Sequence, residues 1–326
     1  MQLIPGWSKR FRCEARLYRD RDRDRELVVV KSGRGRTRIT NTNSRGDRAQ
    51  RSRWAFFNSL LLAILYLLAT SSFVAANPFD DASAAYQRGD YVQAIKLFRQ
   101  LAEQGHQWAQ RRLGLIYAEG KGVPQDYEEA VKWFRLAAAQ GNVPAQYSLG
   151  QAYEKGQGVR QDYQEAMKWY RIAATREDEW AQMRLGSIYA EGKGVPQDYR
   201  EAVKWYRIAA AQGYPPALYS LGLAYEKGQG VPQDYQEAVK WYRLAAAEGN
   251  QLAQINLGVM YTNGTGVPQD FVRAHMWLTL AALSGDSGDT ATKKRDRIAS
   301  KMTAEQIATA QEMARRCQES KLKNCD

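Results

Sequence analysis

Leu113-Gly-Leu-Ile-Tyr-Ala-Glu-Gly120-Lys-Gly-Val-Pro-Gln-Asp126-Tyr-Glu-Glu-Ala130-Val-Lys-Trp133-Phe-Arg-Leu-Ala137-Ala138 is written, with few changes, five times in succession at a spacing of 36 residues. Leu-Gly returns at Leu149, Leu185, Leu221 and Leu257. A Tyr follows four residues after each Leu, at Tyr117, Tyr153, Tyr189, Tyr225 and Tyr261. Then come Gly-x-Gly-Val, an Asp (Asp126, Asp162, Asp198, Asp234, Asp270), an Ala and a Trp (Ala130/Trp133 through Ala274/Trp277), and an Ala-Ala pair. A fixed period of this length marks a repeat architecture.

The spacing gives each element a physical reason. Leu, Gly and Tyr at i, i+1 and i+4 share one helix face, and the Gly lets a neighbouring helix come close. Gly-x-Gly ends that helix, because Gly tolerates positive φ. The Asp is an N-cap for a second helix, and Glu129, Glu165, Glu201 and Glu237 three residues later complete a capping box. Ala, Trp and Ala at i, i+3 and i+7 make the buried stripe of that helix. One hairpin cannot bury both faces, whereas stacked copies can. The expected fold is therefore all-α: an α/α solenoid of two-helix repeats at 107–142, 143–178, 179–214, 215–250 and 251–285, closed by atypical units at 77–106 and 286–326. The first carries Tyr86, Gly89-Asp90, Ala94, Phe98 and Ala102 without the Gly-rich loop, as in a tetratricopeptide hairpin. The second should hold helices near 289–301 and 304–320, the latter opened by the capping box Thr303-x-x-Gln306.

These residues strongly resemble the Sel-one-like repeat family, relatives of the tetratricopeptide repeats, over about residues 107–284. The resemblance implies a solenoid whose first helices line a concave groove, and a role in binding a protein or peptide. The C-terminal segment is similar to that of secreted bacterial members. Departures occur at Thr175-Arg-Glu177, where other junctions end in Gly141, Gly213 and Gly249, and at Arg273, which replaces the capping-box Glu. Loss of a C-cap Gly costs about 1 kcal/mol and is expected to change the angle between units, or to be simple drift.

The formal charge of +12 is misleading. Residues 1–53 hold 16 Lys and Arg against 6 Asp and Glu, and residues 54–76 hold none. The remainder is near neutral, with no electrostatic footprint for nucleic acid. The basic leader 1–53 reads as disordered, either a real tail or an over-extended start. Trp54–Ala76 contains Leu60-Leu-Leu-Ala-Ile-Leu-Tyr-Leu-Leu68 and ends in Phe73-Val-Ala-Ala76. It reads as a signal peptide or, alternatively, as an uncleaved inner-membrane anchor. Both place residues 77–326 outside the cytoplasm, in the periplasm or secreted. Cys13 lies in the leader, and Cys317 with Cys325 form the remaining pair, for which a local disulfide is expected over two separate thiols.

No catalytic, cofactor or metal constellation is present in the sequence. His106 falls in a turn between units, and His275 takes a position that is Val131, Val203 and Val239 in three other units and Met167 in the fourth. The Gly-x-Gly loops follow helices rather than strands, so they are hairpin loops and not nucleotide motifs. Scaffold positions stay fixed from unit to unit, while a stripe at i, i+3 and i+7 of the first helices varies: Trp108, Arg111, Leu115; Tyr147, Gln151; Trp180, Met183; Tyr219, Leu223. Exposed Trp, Tyr, Met and Arg favour interfaces, so these are the candidate partner-binding residues. Packing between units is the alternative for Trp108 and Trp180. Two function classes follow: an envelope adaptor holding a protein or peptide, and a cell-wall-ligand or β-lactam-binding enzyme of the cysteine-rich repeat kind. The latter relatives carry a Cys pair in each repeat, which this chain does not. Odd units resemble odd and even resemble even, a super-period of 72 residues.

Overall fold

The computed structural model describes residues 15–20, 25–31, 37–39, 77–284, 289–322 and 325, with side chains from residue 77 on. The apolar segment 54–76 and the readings placed on it lie outside the described residues. The chain divides into two units, Met1–Ala75 and Ala76–Asp326.

In the first unit, part of the leader differs from the expectation of disorder. β1 (Ala15–Asp20), β2 (Arg25–Lys31) and β3 (Thr37–Ile39) form an antiparallel sheet in the order β1-β2-β3. Leu17 lies opposite Val28, and Val29 opposite Ile39. Val28-Val29-Val30 is a β-branched run, and β-branched residues favour extended backbone even within a charged segment.

In the second unit, the described residues form fourteen helices. The N-terminal unit is α1 (Pro78–Gln87) and α2 (Tyr91–Glu103). The five full repeats supply α3 (Gln107–Glu119) and α4 (Tyr127–Ala139), α5 (Val143–Lys155) and α6 (Tyr163–Ala174), α7 (Glu179–Glu191) and α8 (Tyr199–Ala211), α9 (Pro215–Lys227) and α10 (Tyr235–Ala247), and α11 (Gln251–Asn263) and α12 (Phe271–Leu283). α13 (Thr290–Ala299) and α14 (Ala304–Glu319) close the array, and both sides of the Thr303–Gln306 capping box are formed. The result is an all-α helical-repeat solenoid.

Each first helix of the five full repeats ends on a glycine in the left-handed region, as at Gly120 with φ 67°. Each second helix opens on the expected Asp: the Asp126 carboxylate accepts from the Glu129 N–H at 2.9 Å. The other half of the capping box is not made. The Asp126 N–H already donates to the Tyr117 carbonyl at 2.9 Å, so the Glu129 carboxylate turns to Lys132 and the Trp133 indole instead. At the junction without glycine, Glu177 takes the left-handed φ of 64° itself. The chain path of the other junctions is kept at the expense of local strain.

The buried stripe of the second helix also differs from the expected one. Ala130 and Ala137 are buried, yet Trp133 is half-buried and the next residue, Phe134, takes the core position. The same holds for Tyr170, Tyr206 and Tyr242. The glycine of Leu-Gly explains why. A Cβ on Gly150 would stand 2.6 Å from the Tyr170 ring, and one on Gly186 2.4 Å from the Tyr206 ring. These rings fill the space that the missing side chain leaves. Trp277 is the exception, buried in the last full unit.

Buried residues group across repeat boundaries as much as within them. Ala130, Val131, Phe134, Ala137 and Ala138 of α4 share one core with Ala145, Leu149 and Ala152 of α5. The fixed Tyr of each first helix clips neighbouring units together: Arg135 donates to the Tyr153 hydroxyl at 2.9 Å, and Arg171 to Tyr189 at 2.8 Å. At the far end Cys317 and Cys325 are joined in a disulfide, Cα to Cα 4.7 Å, as expected. Leu322 packs beside it on the core of the last repeats. On the chain-entropy account, closing such a loop stabilises the cap by about 2–3 kcal/mol.

Candidate functional site

The variable stripe lies on the first helices, which pack in register along the solenoid. Its outer row is open to solvent: Trp108 is 47% and Trp180 52% exposed, and Leu252 at the same register 54%. Pro144 and Pro216 hold the row in the even units, so an exposed large apolar residue recurs at every second repeat. The middle and inner rows are half-buried. Tyr147 tilts over Tyr170 with ring centres 5.6 Å apart, and Tyr219 over Tyr242 at 5.7 Å. Met183 packs against the downstream core, and Leu115 against the core of repeats one and two. Gln151 donates to the Tyr147 hydroxyl at 3.1 Å, and Leu223 is half-buried.

First helices two repeats apart sense one another. The charge of Arg111 in α3 acts on Asp178, the N-cap of α7, and Tyr147 in α5 acts on Tyr214, the N-cap position of α9.

Three groups packed together beside the stripe were not legible as a unit from the sequence. The Glu154 carboxylate is buried, and it accepts from the Tyr170 hydroxyl at 2.7 Å and from Arg184 Nε at 3.2 Å, with a second, shorter contact to the same guanidinium. Arg184 comes from the next first helix, so the pair ties repeat two to repeat three. A buried carboxylate tolerates removal from water only when its partners are this complete. Two repeats on, Glu226 accepts from Tyr242, while Asn256 stands where Arg184 does. The alternation of Glu154 and Glu226 with Ala118 and Ala190 was the available signal.

Tyr214 was also missed. It puts its ring edge on Trp180, centres 5.1 Å apart, and burial pushes its phenol up to about 12. Burial raises the Tyr147 phenol as well, and it raises the Asp178 carboxyl against the bond that carboxyl accepts from the Ala181 N–H at 2.7 Å. At neutral pH the face therefore presents neutral phenols beside indoles.

The histidines have structural places. His106 caps α3, its Nδ1 accepting from the Ala109 N–H at 3.2 Å, and it stacks on Phe79. His275 is buried beside Thr279, and burial lowers its pKa. Among the described residues, no three or more His, Cys, Asp or Glu side chains are grouped to hold a metal ion.

The sequence profile of the Sel1 repeat matches residues 83–106, 109–142, 143–178, 181–214, 215–250 and 251–286, which is well over half of the chain. The chain is a Sel1 repeat protein. The short N-terminal unit, read above as a tetratricopeptide-like hairpin, is thus matched as a further Sel1 repeat. The fold is similar to that of a Sel1 repeat protein from Oxalobacter formigenes, at 34% identity and a TM-score of 0.63 over 73% of this chain and 99% of that one. It is also similar to a protective antigen of uropathogenic Escherichia coli with the same repeat fold, at 38% identity and a TM-score of 0.62. That likeness covers 70% of this chain and 49% of the antigen, so the Sel1 chain spans about half the antigen's length. No curated protein matches the chain. Sel1 repeat proteins mediate protein–protein interaction and are typically non-catalytic scaffolds.

Proposed function

We propose that this Sel1 repeat protein is a non-catalytic adaptor of the cell envelope, which holds a protein or peptide segment against its first-helix face. The observation that carries the reading is the exposure of Trp108 and Trp180, each with about half its surface in water, beside half-buried Tyr147, Met183 and Tyr219. Large apolar residues left in solvent at fixed intervals along the first helices cost solubility, and a partner that covers them recovers this. Trp108→Ala and Trp180→Ala are each expected to weaken partner binding by about 2 kcal/mol, roughly thirtyfold, while the melting temperature stays near that of the parent. Affinity capture from an envelope fraction identifies the partner, and titration with the two variants checks the face. Normal binding by both would move the partner to another surface.

The envelope assignment rests on the leader. The apolar run 54–76 behind a basic segment is the kind of sequence that directs or anchors a chain across a membrane. The paired Cys317 and Cys325 suit an oxidising compartment. N-terminal sequencing of the native protein is expected to give a mature start near Asn77. A soluble cytoplasmic chain that keeps residues 1–53 would overturn the assignment.

A further inference from the structure

Arg111 differs from every other residue of its row. Tyr147, Met183, Tyr219 and Ile255 hold that register in the later repeats, so only the first full repeat sets a cation on the central line of the face. The side chain is half-buried. Its Nε is out of solvent contact and without a hydrogen-bond partner, and the ion pairs formed among the described residues do not include it. Burial and the neighbouring Arg112 both lower its pKa, so the charge is held there against the local field. Asp178, two repeats on, attracts it without reaching ion-pair distance. The Nε is closed to an incoming group, which leaves the terminal N–H groups of the guanidinium to meet one. A guanidinium offers a planar fork of N–H groups that fits a carboxylate in two parallel bonds. One turn away on the same helix stands the exposed Trp108, and Trp180 and Leu252 continue that outer row beyond Arg111.

We propose that Arg111 is the carboxylate-reading position of the first-helix face: it takes the side chain of an Asp or Glu within an extended segment of a partner protein, whose neighbouring apolar residues rest on Trp108 and Trp180. The inference rests on the first-helix face being the binding surface and adds the chemistry of the segment bound there. The apolar row runs on for several repeats past Arg111, so the bound chain continues through this point and does not end at it. The acid is therefore a side chain and not a terminal carboxylate. Asp178 then serves as a gate for charge: it repels a second acid placed two repeats along and favours an apolar or basic residue there.

The test uses random peptides displayed with their C-termini fused to a carrier, selected on the full chain and on its Arg111→Gln variant. Selection on the parent should enrich an Asp or Glu at a fixed position relative to large apolar residues. Selection on R111Q should keep the apolar residues and lose the acid. The most enriched acidic peptide, made acetylated and amidated, should lose about tenfold or more in affinity for the parent when its Glu becomes Gln. The same change should matter less than about twofold on R111Q. The peptide-side substitution leaves the protein untouched, so the test stands even if R111Q folds poorly. Apolar peptides without an acid, or the same acid enriched on R111Q, overturn the role of Arg111 and leave the binding face intact. Binding only by free-acid peptides and not by amidated ones overturns the internal side chain. No enrichment on either protein removes the binding face itself, and the proposal with it.

Discussion

Tyr170→Ala is expected to destabilise the solenoid by about 4 kcal/mol, because one side chain serves two functions there. Its ring is fully buried and fills the space over Gly150, which has no Cβ to compete for it. Removing a buried aromatic of this size costs about 3–5 kcal/mol in lost burial and residual cavity. Its hydroxyl also donates to the buried Glu154 carboxylate, which would be left with Arg184 alone. Tyr170→Phe separates the terms: it keeps the ring and should cost about 1–2 kcal/mol. Stability in a solenoid is passed between neighbours, so damage in the second full repeat falls inside the array and not at a fraying end. Denaturant unfolding followed by circular dichroism measures both variants. A Tyr170→Ala protein within about 1 kcal/mol of the parent would show that the ring over Gly150 is replaceable.

Gly158→Ala should cost about 3 kcal/mol, for a reason invisible in any single repeat. Gly158 is the second glycine of its Gly-x-Gly loop and has φ +70°. Ala in that region carries about 1–2 kcal/mol of strain. The larger effect is steric. A Cβ there would lie 2.0 Å from the Tyr127 carbonyl oxygen and 2.7 Å from the Glu128 nitrogen. Both are backbone atoms at the start of the second helix of the preceding repeat, and neither can rotate away. The two repeats would have to separate. Gly213→Ala is the matched control: its φ is +80°, and nothing lies within 4 Å of the added carbon. It should show the conformational cost alone, about 1 kcal/mol. Equal melting temperatures for the two variants would mean that the loop does not couple the repeats.

The same pair of residues marks how far the sequence could be read. The period, the helix ends and the Asp caps are local properties. They depend on backbone conformation within a few residues, and Gly120, Asp126 and Thr303 take the places that their chemistry assigns. The leader is an instructive case at 15–20, 25–31 and 37–39: the alternating Arg and Asp and the Gly-, Arg-, Thr- and Asn-rich stretch argued for disorder, while the β-branched run at Val28–Val30 carried an opposite local preference that the structure follows. The N–H of Asp126 is a further limit. The capping box was a sound local expectation, but the Tyr117 carbonyl across the loop reaches that donor first.

By itself the sequence determined the class of fold, the number and order of hairpins and the stripe of residues that varies, because each is written as a spacing along one chain; the joined cysteines it left as an expectation, which the structure meets. Only the tertiary structure decided which aromatic of Trp133-Phe134 enters the core and which stays half in water, since that depends on whose Cβ is missing on the facing helix. It also decided that Glu154 and Arg184, thirty residues apart, share one buried site, and that Arg111 lies within electrostatic reach of Asp178 but without a bond to it. Those relations arise where helices and neighbouring repeats pack together, and the local spacing within one helix does not encode them.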